Sequence, residues 1–145
     1  MDPRLLPQLM EWVVDKYGYS LQDFMAANVT VADATALMAL YWPKFVEYQG
    51  CVFPGFKFSP EGVDQWLERL PGDLGAVESV VNHVHLWDHF TLTSDAEYAA
   101  LSELAAQIAI IWRSAARQAF PEREFDISVA DGTGGDGPTI SLVSI

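Results

Sequence analysis

The sequence predicts a single α+β domain, residues 1–145, with about five or six helices packed on a small, mainly antiparallel sheet and a C-terminal β-hairpin. Apolar residues recur at helical spacing behind capping residues, aromatic and β-branched residues crowd one central segment, and apolar and polar residues alternate near the C-terminus. A chain of 145 residues fits one domain and can bury a core without a disulfide or a metal.

Three helices are predicted in the first 43 residues. Apolar residues recur at helical spacing over residues 3–17, and a glycine follows that can end this helix. Two S/T-x-x-D patterns, which begin at Ser20 and Thr30, have the spacing of a helix cap. They predict two further helices, the second of which ends just before Pro43.

The central segment predicts one strand and two helices. Phe45–Phe53 is rich in aromatic and β-branched residues and is expected to form a strand with a bulge at Gly50. Ser59, followed by proline and glutamate, is a strong helix start. Asp73 caps the next helix, which is expected to run to about Trp87.

The last third of the chain predicts one long helix and a hairpin. The apolar stripe over Tyr98–Ala119 predicts a continuous helix with Ile108 and Ile111 almost fully buried. Apolar and polar residues alternate within two segments, Phe125–Ala130 and Thr139–Ile145, which predicts two strands. A glycine-rich loop joins them. Their short separation favours antiparallel pairing, and we expect both to share one sheet with Phe45–Phe53.

The net charge of the chain limits the classes of partner that we expect it to bind. Twenty acidic and eight basic residues give a net charge of −12, which repels phosphate backbones and anionic lipids. We therefore expect neither nucleic-acid nor membrane binding, and favour a protein partner; a basic protein fits the charge. The one cysteine, Cys51, cannot form an internal disulfide and is expected to be buried in its strand. With no signal-peptide pattern at the N-terminus, this predicts a cytoplasmic protein.

Basic residues are absent from a long acidic stretch. Between Leu70 and Ile111 there is no lysine or arginine, while six residues are acidic. We expect this stretch to form an acidic face that docks a basic partner. The candidate partner-binding residues are Asp73, Glu78, Asp95 and Glu97.

All three histidines lie within seven residues, at positions 83, 85 and 89. If the helix from Asp73 continues through them, Glu78, Asn82, His85 and His89 form one polar stripe, and the two imidazoles have the i,i+4 spacing that can bind one metal. The candidate metal ligands are His85, His89, Glu78 and Asp88. Such a set suits a weak divalent-metal site, whereas the alternative is a solvated helix face with one or two packing histidines.

The segment His83-x-His85-x-x-Asp88-His89 is similar to the H-x-H-x-D-H signature of metallo-β-lactamase-type hydrolases. It has one additional residue between the second histidine and the aspartate. The chain also lacks the later histidines of those enzymes and is too short for their double sandwich, so we exclude this family.

Two functions follow from these observations. We favour a non-enzymatic acidic binding protein that acts through protein–protein contacts and needs no cofactor. An inhibitor or immunity-type protein that neutralises a basic partner fits the size and charge, by analogy. The alternative is a small metal-dependent enzyme built on the histidine cluster.

Overall fold

The computed structural model describes residues 2–12, 20–132, 135 and 137–145, and its α+β class confirms the prediction. The helices of this part of the chain are α1 (Pro7–Met10), α2 (Leu21–Asn28), α3 (Val31–Tyr41), α4 (Pro60–Arg69), α5 (Leu74–Val81) and α6 (Asp95–Ala119). The strands are β1 (Phe45–Tyr48), β2 (Cys51–Pro54), β3 (Val84–His85), β4 (Phe125–Ala130) and β5 (Thr139–Ser144). Short 3-10 turns form at Pro3–Leu5 and Leu86–Asp88.

Five helices begin at side-chain caps. The side chains of Ser20, Thr30, Ser59, Asp73 and Ser94 each accept a hydrogen bond from the backbone N–H three residues later. Each cap satisfies an N–H group that has no partner within its own helix. The predicted starts at Ser20, Thr30, Ser59 and Asp73 are thereby confirmed.

The N-terminal helix is shorter than predicted. Instead of one helix over residues 3–17, a 3-10 turn precedes the four-residue helix α1, and residues 13–19 lie outside the described part of the chain. Leu6 is extended, with φ −86° and ψ 125°, because Pro7 disfavours helical geometry in the residue before it.

The predicted strand over Phe45–Phe53 is wrong, because this segment folds back on itself as the β1–β2 hairpin. Tyr48 pairs with Cys51 across a two-residue turn. Both turn residues have positive φ, 53° at Gln49 and 85° at Gly50. Two consecutive positive φ values are the geometry of the tight turn that matches the twist of a hairpin, so Gly50 marks a turn and not a bulge.

The strands form two antiparallel sheets and not the single sheet that we expected. One sheet is the β1–β2 hairpin, and the other has the order β3-β5-β4. In the second, β4 and β5 pair from Phe125 opposite Ser144 to Ala130 opposite Thr139, which confirms the C-terminal hairpin. The first sheet is joined to the second through side chains of α5, as described below.

Helix α6, 25 residues long, supplies the centre of the core. Its buried residues recur every three or four positions and include Leu101, Ala105, Ile108 and Trp112. Ile108 is 1% exposed, as expected. Ile111 is only half-buried, so the prediction for this residue is wrong: it lies at the edge of the stripe that faces the core.

Among the described residues, no single helix is long and apolar enough to span a membrane. Helices α2 and α3 together have that length and composition, but they are bent by 112° at the break between them.

Cys51 is fully buried in β2, as predicted, and burial raises the pKa of its thiol from 9.0 to about 11, with the Glu78 carboxyl as a second cause. The neutral thiol is therefore favoured in the folded chain. This contribution to stability is present below pH 9 and is lost as the pH rises through about 11. We expect the stability advantage of the wild type over Cys51→Ala to shrink by about 2 kcal/mol across this range, as measured by urea denaturation. An advantage that stays constant with pH would contradict the assignment.

Candidate functional site

The histidine segment is not helical. Helix α5 ends at Val81, and the chain continues as β3 and a 3-10 turn, so the predicted helix to Trp87 is wrong beyond that point. Val84 and Leu86 are fully buried, whereas His83 and His85 are partly exposed. This alternation has the period of a strand, and Val84 pairs with Ile140 of β5. The i,i+4 premise of the metal prediction therefore fails.

The three side chains on the outer face of this segment form a ladder, which we call the His–Trp ladder (His83, His85 and Trp87). The ring centroids of the two histidines lie 4.6 Å apart, edge to face. The ring of His85 stacks on that of Trp87 at 6.1 Å and 17°. His83 Nδ1 and Ser141 Oγ share a 2.9 Å hydrogen bond, which ties the ladder to β5.

Trp87 in turn packs on the glycine-rich loop. A Cβ at Gly137 would lie 2.5 Å from the indole carbon Cε3, so only glycine allows this contact. Gly137 also has a φ of 66°, which favours glycine independently. The loop end is therefore held by packing on the ladder.

His89 points elsewhere, with its ring 5.8 Å from that of Phe56, edge to face. Asp88 is exposed at the end of the 3-10 turn. In the described parts of the chain, no group of three or more His, Cys, Asp or Glu side chains is placed to hold a metal ion. Divalent-metal binding by His85, His89 and Asp88 stays a prediction, without the helix that motivated it.

Glu78 is 1% exposed and fully engaged, so it does not lie on the surface where a partner-binding residue was expected, and its role as a metal ligand stays a prediction. Its Oε1 accepts hydrogen bonds from Val52 N at 2.6 Å and Ser144 Oγ at 2.8 Å. Its Oε2 accepts one from Ser144 N at 2.5 Å. The side chain thus connects β2 to β5 and is inaccessible to a partner.

Asn82, the residue that follows the last residue of α5, makes the same connection with its amide. Its Nδ2 donates to Val52 O at 2.8 Å and to Leu142 O at 3.0 Å. Its Oδ1 is buried and has no hydrogen-bond partner among the described residues. We call Glu78 and Asn82 the α5 bridge, because the hydrogen bonds of these two side chains link β2 of the first sheet to β5 of the second.

The other candidate partner-binding acids remain partly or fully exposed, but they also have structural roles. Asp73 caps α5, and Asp95 lies exposed in the first turn of α6. Hydrogen bonds from the Thr93 hydroxyl and backbone hold the pKa of the Glu97 carboxyl below its ordinary value. Gln8 donates to the same carboxylate at 2.6 Å, so Glu97 also ties down the N-terminal segment. An acidic docking face at these three residues stays a prediction.

A group of exposed apolar residues lies elsewhere, on α2 and α3. Helix α3 contains a single charged residue, Asp33, yet of its eleven residues only Leu40 is buried. The large apolar residues that are exposed across this pair are Leu21, Met25, Val29, Val31, Met38 and Trp42. A helix that is apolar on all sides is normally buried, so the exposure of α3 is unusual for a folded domain.

A groove runs along α3 on the side that faces the β1–β2 hairpin. It encloses about 540 Å³ between α3 and the hairpin, and its lining is mainly apolar. The residues of this α3 groove are Thr35, Met38, Ala39, Trp42, Lys44, Val46, Gly55 and Phe56. Met38 and Trp42 are 55% and 43% exposed, so the groove opens onto the apolar surface of α3.

Sequence reasoning missed the α3 groove, although one signal for it was present. Residues 17–43 contain two acids and no base, and apolar residues fall on every side of α3. Comparison with protein-family models, curated proteins and solved structures gives no match for this chain.

Proposed function

We propose that this protein is a non-enzymatic binding protein that docks a protein partner in the α3 groove. The observation that carries the proposal is the exposure of α3, an apolar helix whose only buried residue is Leu40. Val31, at its start, is 85% exposed. Contiguous exposed apolar surface of this kind is typical of a protein-interaction site.

The groove residues suit a protein interface. Exposed tryptophan is a frequent centre of binding energy in interfaces, because a large ring buries much apolar area at little entropic cost. Methionine adapts its shape to the opposing surface. Trp42 and Met38 supply both properties side by side in the groove.

Charge favours a partner with basic residues around an apolar contact. Residues 17–43, which include α2 and α3, contribute Asp23 and Asp33 and no base, within a chain of net charge −12. Lys44 is the one charged residue in the groove lining itself. An acidic surface accelerates association with a basic protein and disfavours the binding of acidic proteins. A protein that neutralises a basic partner, as an inhibitor or immunity protein does, would have these properties.

The proposal is tested with a photo-crosslinking amino acid at Met38 or, as a control, at Ile110, which is 61% exposed on α6. We expect a protein to be crosslinked from Met38 and not from Ile110. The purified pair should then form a one-to-one complex. Met38→Glu should weaken it by roughly 10-fold or more, and association should slow as salt rises.

Ile110→Glu is the matched control, because it adds the same charge at another exposed apolar position. Equal weakening by both substitutions would contradict the proposal, as would equal crosslinking from both positions. A wild-type dimer that Met38→Glu dissociates would show that the groove binds a second copy. Binding to neutral phosphatidylcholine vesicles that Met38→Glu abolishes would show a membrane contact. Either result would overturn the proposed protein partner.

A further inference from the structure

We propose that a second site, the arginine pocket, binds a small organic oxyanion: a carboxylate or phosphate group on a compact apolar body. The arginine pocket is a cavity of about 390 Å³ at the C-terminal end of α6, lined by Arg113, Arg117 and Arg123. Its volume is within the usual range for small-molecule sites. It shares no lining residue with the α3 groove, so it is independent of the proposed docking function.

The concentration of positive charge in this pocket is unusual for the chain. Eight basic residues are spread over 145 positions, and three of them line this one cavity in a protein of net charge −12. The C-terminal end of a helix favours cations, which accounts for Arg113 and Arg117. It does not account for Arg123, which reaches the same cavity from the loop after α6.

Two of the guanidinium groups are held in place. Arg113 Nη2 donates to the carbonyl oxygen of Ile127 at 2.6 Å. Arg123 donates from Nη1 to the Gly50 carbonyl at 3.3 Å and from Nη2 to Glu47 Oε1 at 2.8 Å. Arginines that are already positioned lose little conformational freedom when a ligand binds.

Arg117 is the side chain left to bind the ligand. Among the described residues it makes no hydrogen bond or ion pair, although each of its pocket neighbours Arg113 and Arg123 does. A guanidinium can bind both oxygens of a carboxylate or phosphate through two parallel N–H bonds.

The remaining lining defines the rest of the ligand. One wall of the pocket is apolar and suits a ring or a short aliphatic body; it consists of Pro121, Phe125, Ile127 and Ile145. Glu124 is the one acid in the lining, and its carboxyl group opposes an anion. Because three arginines outweigh this one carboxylate, the pocket stays positive and should discriminate strongly between anionic and neutral molecules of the same shape.

The test is a titration of backbone amide NMR signals with benzoate, phenyl phosphate and neutral benzamide, which share one ring and differ in head group. We expect saturable shifts around Arg117 and Ile127 with one or both anions, at a Kd of roughly 1 mM or below, and none with benzamide. The two anions separate a carboxylate from a phosphate preference.

Arg117→Gln should weaken anion binding by roughly 10-fold, and Glu124→Gln should strengthen it. Arg69→Gln is the control, because it removes the same charge from the exposed end of α4. Equal loss in the Arg117 and Arg69 variants would reveal a general charge effect and overturn the proposal. Equal binding of benzamide, or the absence of saturable shifts with either anion, would also overturn it.

Discussion

Glu78→Ala is expected to destabilise the fold by about 3–5 kcal/mol. The substitution removes the acceptor for three hydrogen bonds, from the backbone N–H groups of Val52 and Ser144 and from the Ser144 hydroxyl. The Val52 N–H is buried and the two Ser144 donors are partly buried, so the loss of their partner has a large desolvation cost. The change is measured as a lower urea midpoint of unfolding.

Glu68→Ala is the matched control, because Glu68 is an exposed acid on α4 and its loss changes the net charge equally. Its effect should stay within about 0.5 kcal/mol. Similar midpoints for the two variants would show that charge, and not the α5 bridge, determines the stability at position 78.

Trp112→Ala is expected to cost a similar amount, about 3–5 kcal/mol, through the cavity it leaves. The indole is fully buried and contacts the rings of Phe45 and Phe56 edge to face, at 6.1 and 6.2 Å. Its Nε1 donates to the carbonyl oxygen of Leu40 at 2.8 Å, near the C-terminal end of α3. Trp112 thus joins α3 to the central helix.

Trp112→Phe separates these two contributions. It keeps a large ring and loses the hydrogen bond to Leu40, so we expect a smaller loss of about 1–3 kcal/mol. Ile110→Ala, on the exposed side of the same helix, should change the free energy of unfolding by less than about 0.5 kcal/mol. A Trp112→Ala variant as stable as Ile110→Ala would contradict the central position of Trp112 in the core.

Features that depend on neighbouring residues were predictable from sequence. The caps at Thr30, Ser59 and Asp73 each act over three residues, and the helices begin there. The C-terminal hairpin follows from alternation within its own strands. The β1–β2 hairpin was missed because Gln49-Gly50 is a weaker turn signal than Asn-Gly or Asp-Gly.

The candidate site depended on contacts between distant residues, and sequence reasoning did less well there. Glu78 was assigned to the surface because an acid is rarely buried without partners. Its partners are backbone groups 26 and 66 positions away, which no local pattern reveals. Likewise, the capping pattern at Thr30 predicts the helix α3, but it does not show which sides of that helix the rest of the chain leaves uncovered.

The α5 bridge also has a consequence for how the protein behaves at high concentration. The backbone groups of Val52 in β2, and of Leu142 and Ser144 in β5, bond to Glu78 and Asn82 and not to a neighbouring strand. This stretch of β5 is an open rim because β3 pairs with β5 only at Thr139 and Ile140. Such rims recruit strands from other molecules and seed fibrils. Here a carboxyl and an amide occupy those groups, so a foreign strand cannot pair with β2 or β5 at these positions.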